Sequence, residues 1–154
     1  MVTMVVFQLE AQQYALDLER VERVIPMVTI TPLPDAPHVV MGIISVGEHI
    51  IPVLSLRHRF GLAHRDPELS DHFLIADTGK RRVALWIDHI CDIVEKPEEK
   101  SVAATTILPA LKHFTGVTTL ADGLVLIHDL RECLMLEEEQ QLNQAMQRRP
   151  VNAP

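Results

Sequence analysis

Along most of the chain apolar and polar residues alternate with a period of two. Tyr14, Leu16 and Leu18 alternate with Ala15, Asp17 and Glu19, and Val83, Leu85 and Ile87 repeat the pattern, as a strand with one buried face requires. The segments MVVFQL, YALDL, IIPVLSL, FLIAD, RVALWID and LVLIHDL are short and rich in β-formers, and EAQQ, VGEH, DTGK and ADG supply turns between them. A mainly antiparallel β fold follows. Prolines at 26, 32, 34 and 37 predict an extended crossover over PMVTITPLPDAP, because proline lacks the amide a central strand needs. Only the end has a helical pattern. There, acids at 137–139 and the pair Arg148-Arg149 suit the two ends of a helix over 137–149, Leu142, Ala145 and Met146 form one apolar stripe, and Pro150 ends it.

Compared with itself, the chain reads as a duplication. With Gly42 laid on Gly116, GIISVGEHIIPVLSL covers GVTTLADGLVLIHDL without gaps, Glu48 falling on Asp122 and Leu56 on Leu130. The same offset puts Thr31 on Thr105 and Ala36 on Ala110. YALDLERVERVI (14–25) lies over VALWIDHICDIV (83–94), the longer turn ADTGKRR accounting for the changed offset. These correspondences predict two similar subdomains, about 10–70 and 71–136, related by a pseudo-two-fold axis within one domain over 1–136, with the terminal strands open to exchange between them, then a helix at 137–149 and a flexible tail at 150–154. On this alignment Trp86 falls level with Asp17, on the outward register of its strand. A large aromatic there needs a cover, either the C-terminal helix or a partner protein.

Composition narrows the functional classes. With 154 residues, 47% apolar content and a net charge of -7, the chain is globular, and no apolar run is long enough to span a membrane. The start MVTMVVFQLE has no basic n-region or small-residue cleavage site, so a cytoplasmic location is expected. An acidic balance with one Trp and one Tyr argues against nucleic-acid binding. Cys91 and Cys133 sit in no CxxC pattern and are expected to be reduced structural thiols. No GxSxG, P-loop, HExxH or GxGxxG occurs, and the closest metal-like cluster, DHIC at 88–91, would divide its residues between two faces of a strand. Neither a cofactor, a metal nor a catalytic residue is expected. Glu48 and Asp122 read as hairpin tips rather than as an acid and base pair.

The ordered set F-x-L (7–9), YALDLERVERVI, ITPLPDAPHVVMGII (30–44), IIPVLSLRHRFGL (50–62), VALWIDHICDIV, ILPAL (107–111) and GVTTLADGLVLIHDLREC (116–133) resembles the CheW-like adaptors of bacterial chemosensory systems over nearly the whole chain. The resemblance implies an all-β fold of two intertwined five-stranded β-barrels, SH3/OB-like and related by a pseudo-two-fold, with a C-terminal helix. It also implies a non-catalytic scaffold coupling the cytoplasmic hairpin tips of chemoreceptors to a CheA-type histidine kinase through that kinase's regulatory domain, beneath a receptor array and without inserting into the membrane. The receptor tip would lie in a groove between the barrels that involves Val21, Val24, Gly42, Ile43, Ser45, Val46 and Gly47.

The chain departs from the family at that groove. Where many members carry Asn-Leu-Arg-Gly, the aligned residues are Ser45, Val46, Gly47 and Glu48, and Arg23 stands where relatives usually carry an acid. One reading is a swapped ion pair between Arg23 and Glu48, which would change specificity more than stability. The departures suggest an adaptor of an alternative or dedicated pathway. The competing expectation is a self-associating module of a signalling complex that no longer binds standard receptors.

Overall fold

The computed structural model describes residues 2–96, 102–103, 114–120 and 123–148. Its strands are β1 (Val2–Leu9), β2 (Gln12–Asp17), β3 (Val21–Pro26), β4 (Val40–Val46), β5 (His49–Ser55), β6 (His72–Asp77), β7 (Arg82–Ile87), β8 (His89–Lys96), β9 (Val102–Ala103), β10 (Phe114–Leu120) and β11 (Gly123–His128). Two helices accompany them: the single turn α1 (Leu56–Arg59) and α2 (Leu136–Arg148). The segment ILPAL, the aligned residues Thr105 and Ala110, Asp122 and the tail at 150–154 lie outside the described residues.

Two sheets form. One has the order β8-β1-β2-β11-β10-β9 and the other β3-β6-β7-β5-β4. Neither belongs to one half of the sequence: the hairpin β1–β2 pairs with the second-half strands β8 and β11, while β6–β7 pairs with β3 and β5. The register preserves the duplication. In the parallel pairings Val53 meets Ala84 and Ile127 meets Ala15, so the offset that lays Gly42 on Gly116 and the one that lays Tyr14 on Val83 hold together in space. Both hairpins also carry a register shift beside the aligned glycine, between Val40 and Gly42 and between Phe114 and Gly116. Two intertwined sheets with a C-terminal helix are therefore the architecture, and no closing strand pair makes either sheet a complete barrel among the described residues.

Burial divides into three clusters. The largest lies where the sheets face one another and gathers Phe7, Leu9, Tyr14, Leu16, Leu54, Leu74 and Leu85 with Leu142 and Ala145 of α2. A second, on the other face of the β3–β7 sheet, holds Ile44, Val46, Ile51, Val53, Phe73, Ile75 and Trp86, and a third, behind the other sheet, holds Met4, Val6, Ala15 and Val125. The helix stripe is thus core: Leu142 and Ala145 are fully buried. Glu138 accepts from the Met135 amide at 2.8 Å, closing the helix start.

Trp86 corrects the sequence expectation. It is 0% exposed and sits in the second cluster, whereas α2 packs against the first, so neither the helix nor a partner covers it. The reason is that β7 is buried on both faces, from Val83 to Ile87, and an outward register there points into a second core rather than to solvent.

Candidate functional site

The expected groove residues separate into two kinds. Val24 on the edge strand β3 is 40% exposed, and Ser45, Gly47 and Glu48 are exposed around the β4–β5 turn. Val21 is half-buried against the central cluster. Gly42, Ile43 and Val46 are buried and are corrected here: Ile43 and Val46 are core side chains, and a Cβ at Gly42 would stand 2.3 Å from the Thr31 carbonyl oxygen. They support the surface from beneath. Ile50, paired with Ser45 and 36% exposed, belongs to the accessible set although sequence reasoning passed over it.

The strand order keeps the two parts of this set apart. β3 and β4 are the outermost strands of their sheet, with β6, β7 and β5 between them, and the proposed ion pair fails for that reason. No salt bridge joins Arg23 to Glu48: Arg23 lies opposite Ile75 on β3, and Glu48 stands in the two-residue turn after Val46. The pair that does form on this side is Arg82 Nε to Glu22 Oε1, at 2.8 Å. Gly47 has φ of +61° and Glu48 has no positive φ, the sign pattern of a type II′ hairpin turn, which places its glycine first.

The duplication repeats the exposed apolar residues. Val24 corresponds to Ile93 on β8 and Ile50 to Leu124 on β11, and the second-half members, Ile93 and Leu124, are the more exposed, at 58% and 60%.

A charged cluster that sequence reasoning missed holds the junction of the two halves. Arg57 of α1, 1% exposed, donates from Nε and Nη2 to Glu10 Oε1 at 3.2 and 3.0 Å and from Nη2 to Asp88 Oδ1. Arg65 makes a bidentate pair with Asp71 at 2.8 and 2.9 Å and donates to Asp88 Oδ1 at 2.8 Å. Trp86 Nε1 donates to Asp71 Oδ2 at 2.9 Å, and both guanidiniums lie over the indole ring, at 4.5 and 5.2 Å from its centroid. Burial pushes the Asp71 carboxyl up, but hydrogen bonds from Arg65, the Glu68 amide and Trp86, with the charge of Arg65, outweigh it and hold the carboxyl at about 2. Glu10 occupies a turn at φ +55°, and its amide is held by Asp88 Oδ2 at 3.0 Å. Each carboxylate of the cluster faces a guanidinium, and one donor, Arg57 Nη1, is buried without a hydrogen-bond partner; the cluster clasps the two halves together.

Among the described residues no group of three His, Cys, Asp or Glu side chains is placed to hold a metal ion. Burial pushes the Cys133 thiol up to about 12, and no helix is long and apolar enough to cross a membrane.

Comparison with known proteins decides the family. A model described as "CheW-like domain" matches residues 3–147. The chain belongs to the CheW-like domain family. It is 24% identical over 145 residues to a chemotaxis protein CheW from Treponema pallidum, covering 90% of this chain and 85% of that protein. Against a chemotaxis protein CheW from Klebsiella aerogenes it is 21% identical over 135 residues, covering 86% and 81%. The crystal structure of scaffolding protein TtCheW from Thermoanaerobacter tengcongensis superposes with a TM-score of 0.77 at 27% identity, over 89% of this chain and 90% of that one. As a CheW-like protein the chain is a non-catalytic adaptor of chemotaxis signalling, not an enzyme.

Proposed function

We propose that the chain couples the cytoplasmic hairpin tips of chemoreceptors to the regulatory domain of a CheA-type histidine kinase, in the cytoplasm at the receptor array, and that it serves an alternative or dedicated pathway. The observation that carries the coupling role is the CheW-like match over residues 3–147, which leaves no major element of the fold outside it. Support for a dedicated partner set comes from the β4–β5 turn. Gly47 and Glu48 put a negative charge and a glycine-first turn where the family pattern has a cation, and a reversed charge selects against the wrong partner. The accessible recognition residues are Val24, Ser45, Gly47, Glu48 and Ile50, with Arg23 as a cation on the β3 edge.

The test is binding of the purified chain to kinase regulatory domains and receptor tips from its own and from a standard chemotaxis system. The expected result is tighter binding to its own set. Equal affinity for both sets overturns the dedicated pathway, and binding to neither overturns the coupling role. The double substitution Gly47→Arg with Glu48→Gly is expected to shift preference toward the standard receptor tips; unchanged receptor binding removes the turn from the recognition surface.

A further inference from the structure

The clasp around Arg57 has a counterpart in the second half, and the counterpart is unfinished. The offset that lays Gly42 on Gly116 also lays Ser55 on Asp129 and Arg57 on Arg131. The structure preserves both pairs. Ser55 caps α1 by accepting from the His58 amide, and Asp129 caps the 3-10 turn Leu130–Glu132 by accepting from the Arg131 amide. Around Arg57 the β1–β2 turn supplies Glu10 and the residue after β7 supplies Asp88. At the corresponding places around Arg131 stand the β6–β7 turn, with Thr78, Gly79 and Lys80, and the segment after β2, where Glu19 aligns with Asp88 and Arg20 follows it. Glu19 is exposed and is not among the residues that line the recess, whose charged lining includes Arg20 and Lys80.

These residues line a pocket of about 340 Å³ with Cys133 and Leu134 at its apolar wall and Glu139 beside them. The Glu139 carboxylate is taken by Arg81, whose Nε donates to both of its oxygens at 3.1 Å. Arg131 reaches only its own cap, Asp129, at 3.1 and 3.2 Å, and its side chain remains 66% exposed. Among the described residues the Arg20 and Lys80 side chains form no hydrogen bond or ion pair. Arg20 nevertheless lies against the turn: a Cβ on Gly79 would stand 3.3 Å from its Nη1. Three cations thus share one recess, with no carboxylate for Arg20 or Lys80, in a chain whose net charge is -7.

We infer that this pocket binds a carboxylate anion, which meets the cations of the second-half recess as Glu10 meets Arg57 in the first half. Arg20 and Lys80 are the primary ligands, Arg131 is the third, and the apolar wall at Leu134 accepts the carbon chain that carries the group. Two sources share that chemistry: a small organic acid, and an Asp or Glu side chain projecting from a partner protein.

Amide NMR of the full chain tests this, with succinate and a capped hexaglutamate peptide as separate probes at constant ionic strength and sodium chloride as the control. The expected result is a saturable shift of the Gly79, Lys80 and Leu134 amides with at least one probe, weakened about tenfold in Arg20→Gln with Lys80→Gln. Saturation by succinate identifies a small-molecule site. Saturation by the peptide alone identifies a partner's side chain. Shifts that chloride reproduces, that do not saturate with either probe, or that persist unchanged in the double variant overturn the inference. Arg131→Gln, at an exposed residue outside the core, gives a second variant with the same expected direction.

Discussion

Arg57 and Arg131 are equivalent residues of the duplicated unit, yet one is buried among carboxylates and the other is open to solvent. Identical side chains on matching turns therefore predict unequal costs. Arg57→Leu takes the buried cation from Glu10 and Asp88 and leaves them only Arg65, and removing one partner of a buried ion cluster costs about 3–5 kcal/mol, with the lower end expected because Arg65 remains. Arg131→Leu removes an exposed side chain and leaves the half-buried Asp129 cap its bond from a backbone amide, and surface changes of this kind stay within about 0.5 kcal/mol. Urea unfolding of the two variants beside the parent protein measures the difference.

The same clasp sets a pH dependence. Asp71 has its carboxyl held at about 2, below the ordinary value of 3.8, so the folded state favours the ionised form. The stability this supplies is fully present above the unfolded value and is lost as pH falls through the folded one, a window from about pH 4 down to about pH 2. Glu138 and Asp129 are lowered as well, through Arg59 and Arg131, and add to the acid side of the curve. Asp71→Asn is expected to be less stable at neutral pH and to have a flatter stability curve across that window. Thermal melts at pH 7, 4 and 2.5 on both proteins decide it.

The two glycines of the β4 hairpin should respond in opposite degree. Gly42 has no room, since an added Cβ would stand 2.3 Å from the Thr31 oxygen and 2.8 Å from Ile30 Cγ2. Gly42→Ala must push the 30–31 segment off β4 and is expected to cost about 3 kcal/mol. Gly47 has nothing within 4 Å, and Gly47→Ala costs only the backbone conformation, about 1 kcal/mol. Chemical denaturation midpoints of the two alanine variants should differ accordingly, with receptor and kinase binding of the Gly47 variant as an independent readout of the turn.

Much of this fold was legible in the sequence, and what was not legible has a physical cause. The turn VGEH, the strands around it and the apolar stripe of α2 are local features, and the self-alignment carried them into pairs that the sheet register preserves. Trp86 was misplaced because alternation assumes one wet face. The unbroken run Val83-Ala84-Leu85-Trp86-Ile87 carried the opposite signal, that of a strand buried on both sides. The clasp was invisible for another reason: Glu10, Arg57 and Asp88 are far apart in the chain, and only the exchange of hairpins between halves brings them together. Gly42, Ile43 and Val46 were assigned to a surface because the family pattern marks positions in sequence, whereas depth depends on how the hairpin packs, Ile43 into the first cluster and Val46 into the second.

Trp86 gives the last test, because its environment separates an internal clasp from a partner contact. Its ring is enclosed by Phe73, Val53 and Ile51 and capped by Arg57 and Arg65, with the indole N–H bound to Asp71. Emission should be blue-shifted in the isolated protein and should not move when a kinase regulatory domain lacking tryptophan is added. Arg65→Ala uncaps one side of the indole and releases the Asp71 pair, so it should shift the emission to longer wavelength and raise quenching by iodide. Leu142→Ala, in the separate cluster under α2, is expected to cost about 3 kcal/mol while leaving the emission of the folded protein unchanged. A red shift on that helix substitution would place Trp86 against α2, and a shift on kinase binding would place it in the interface; each contradicts the packing described above.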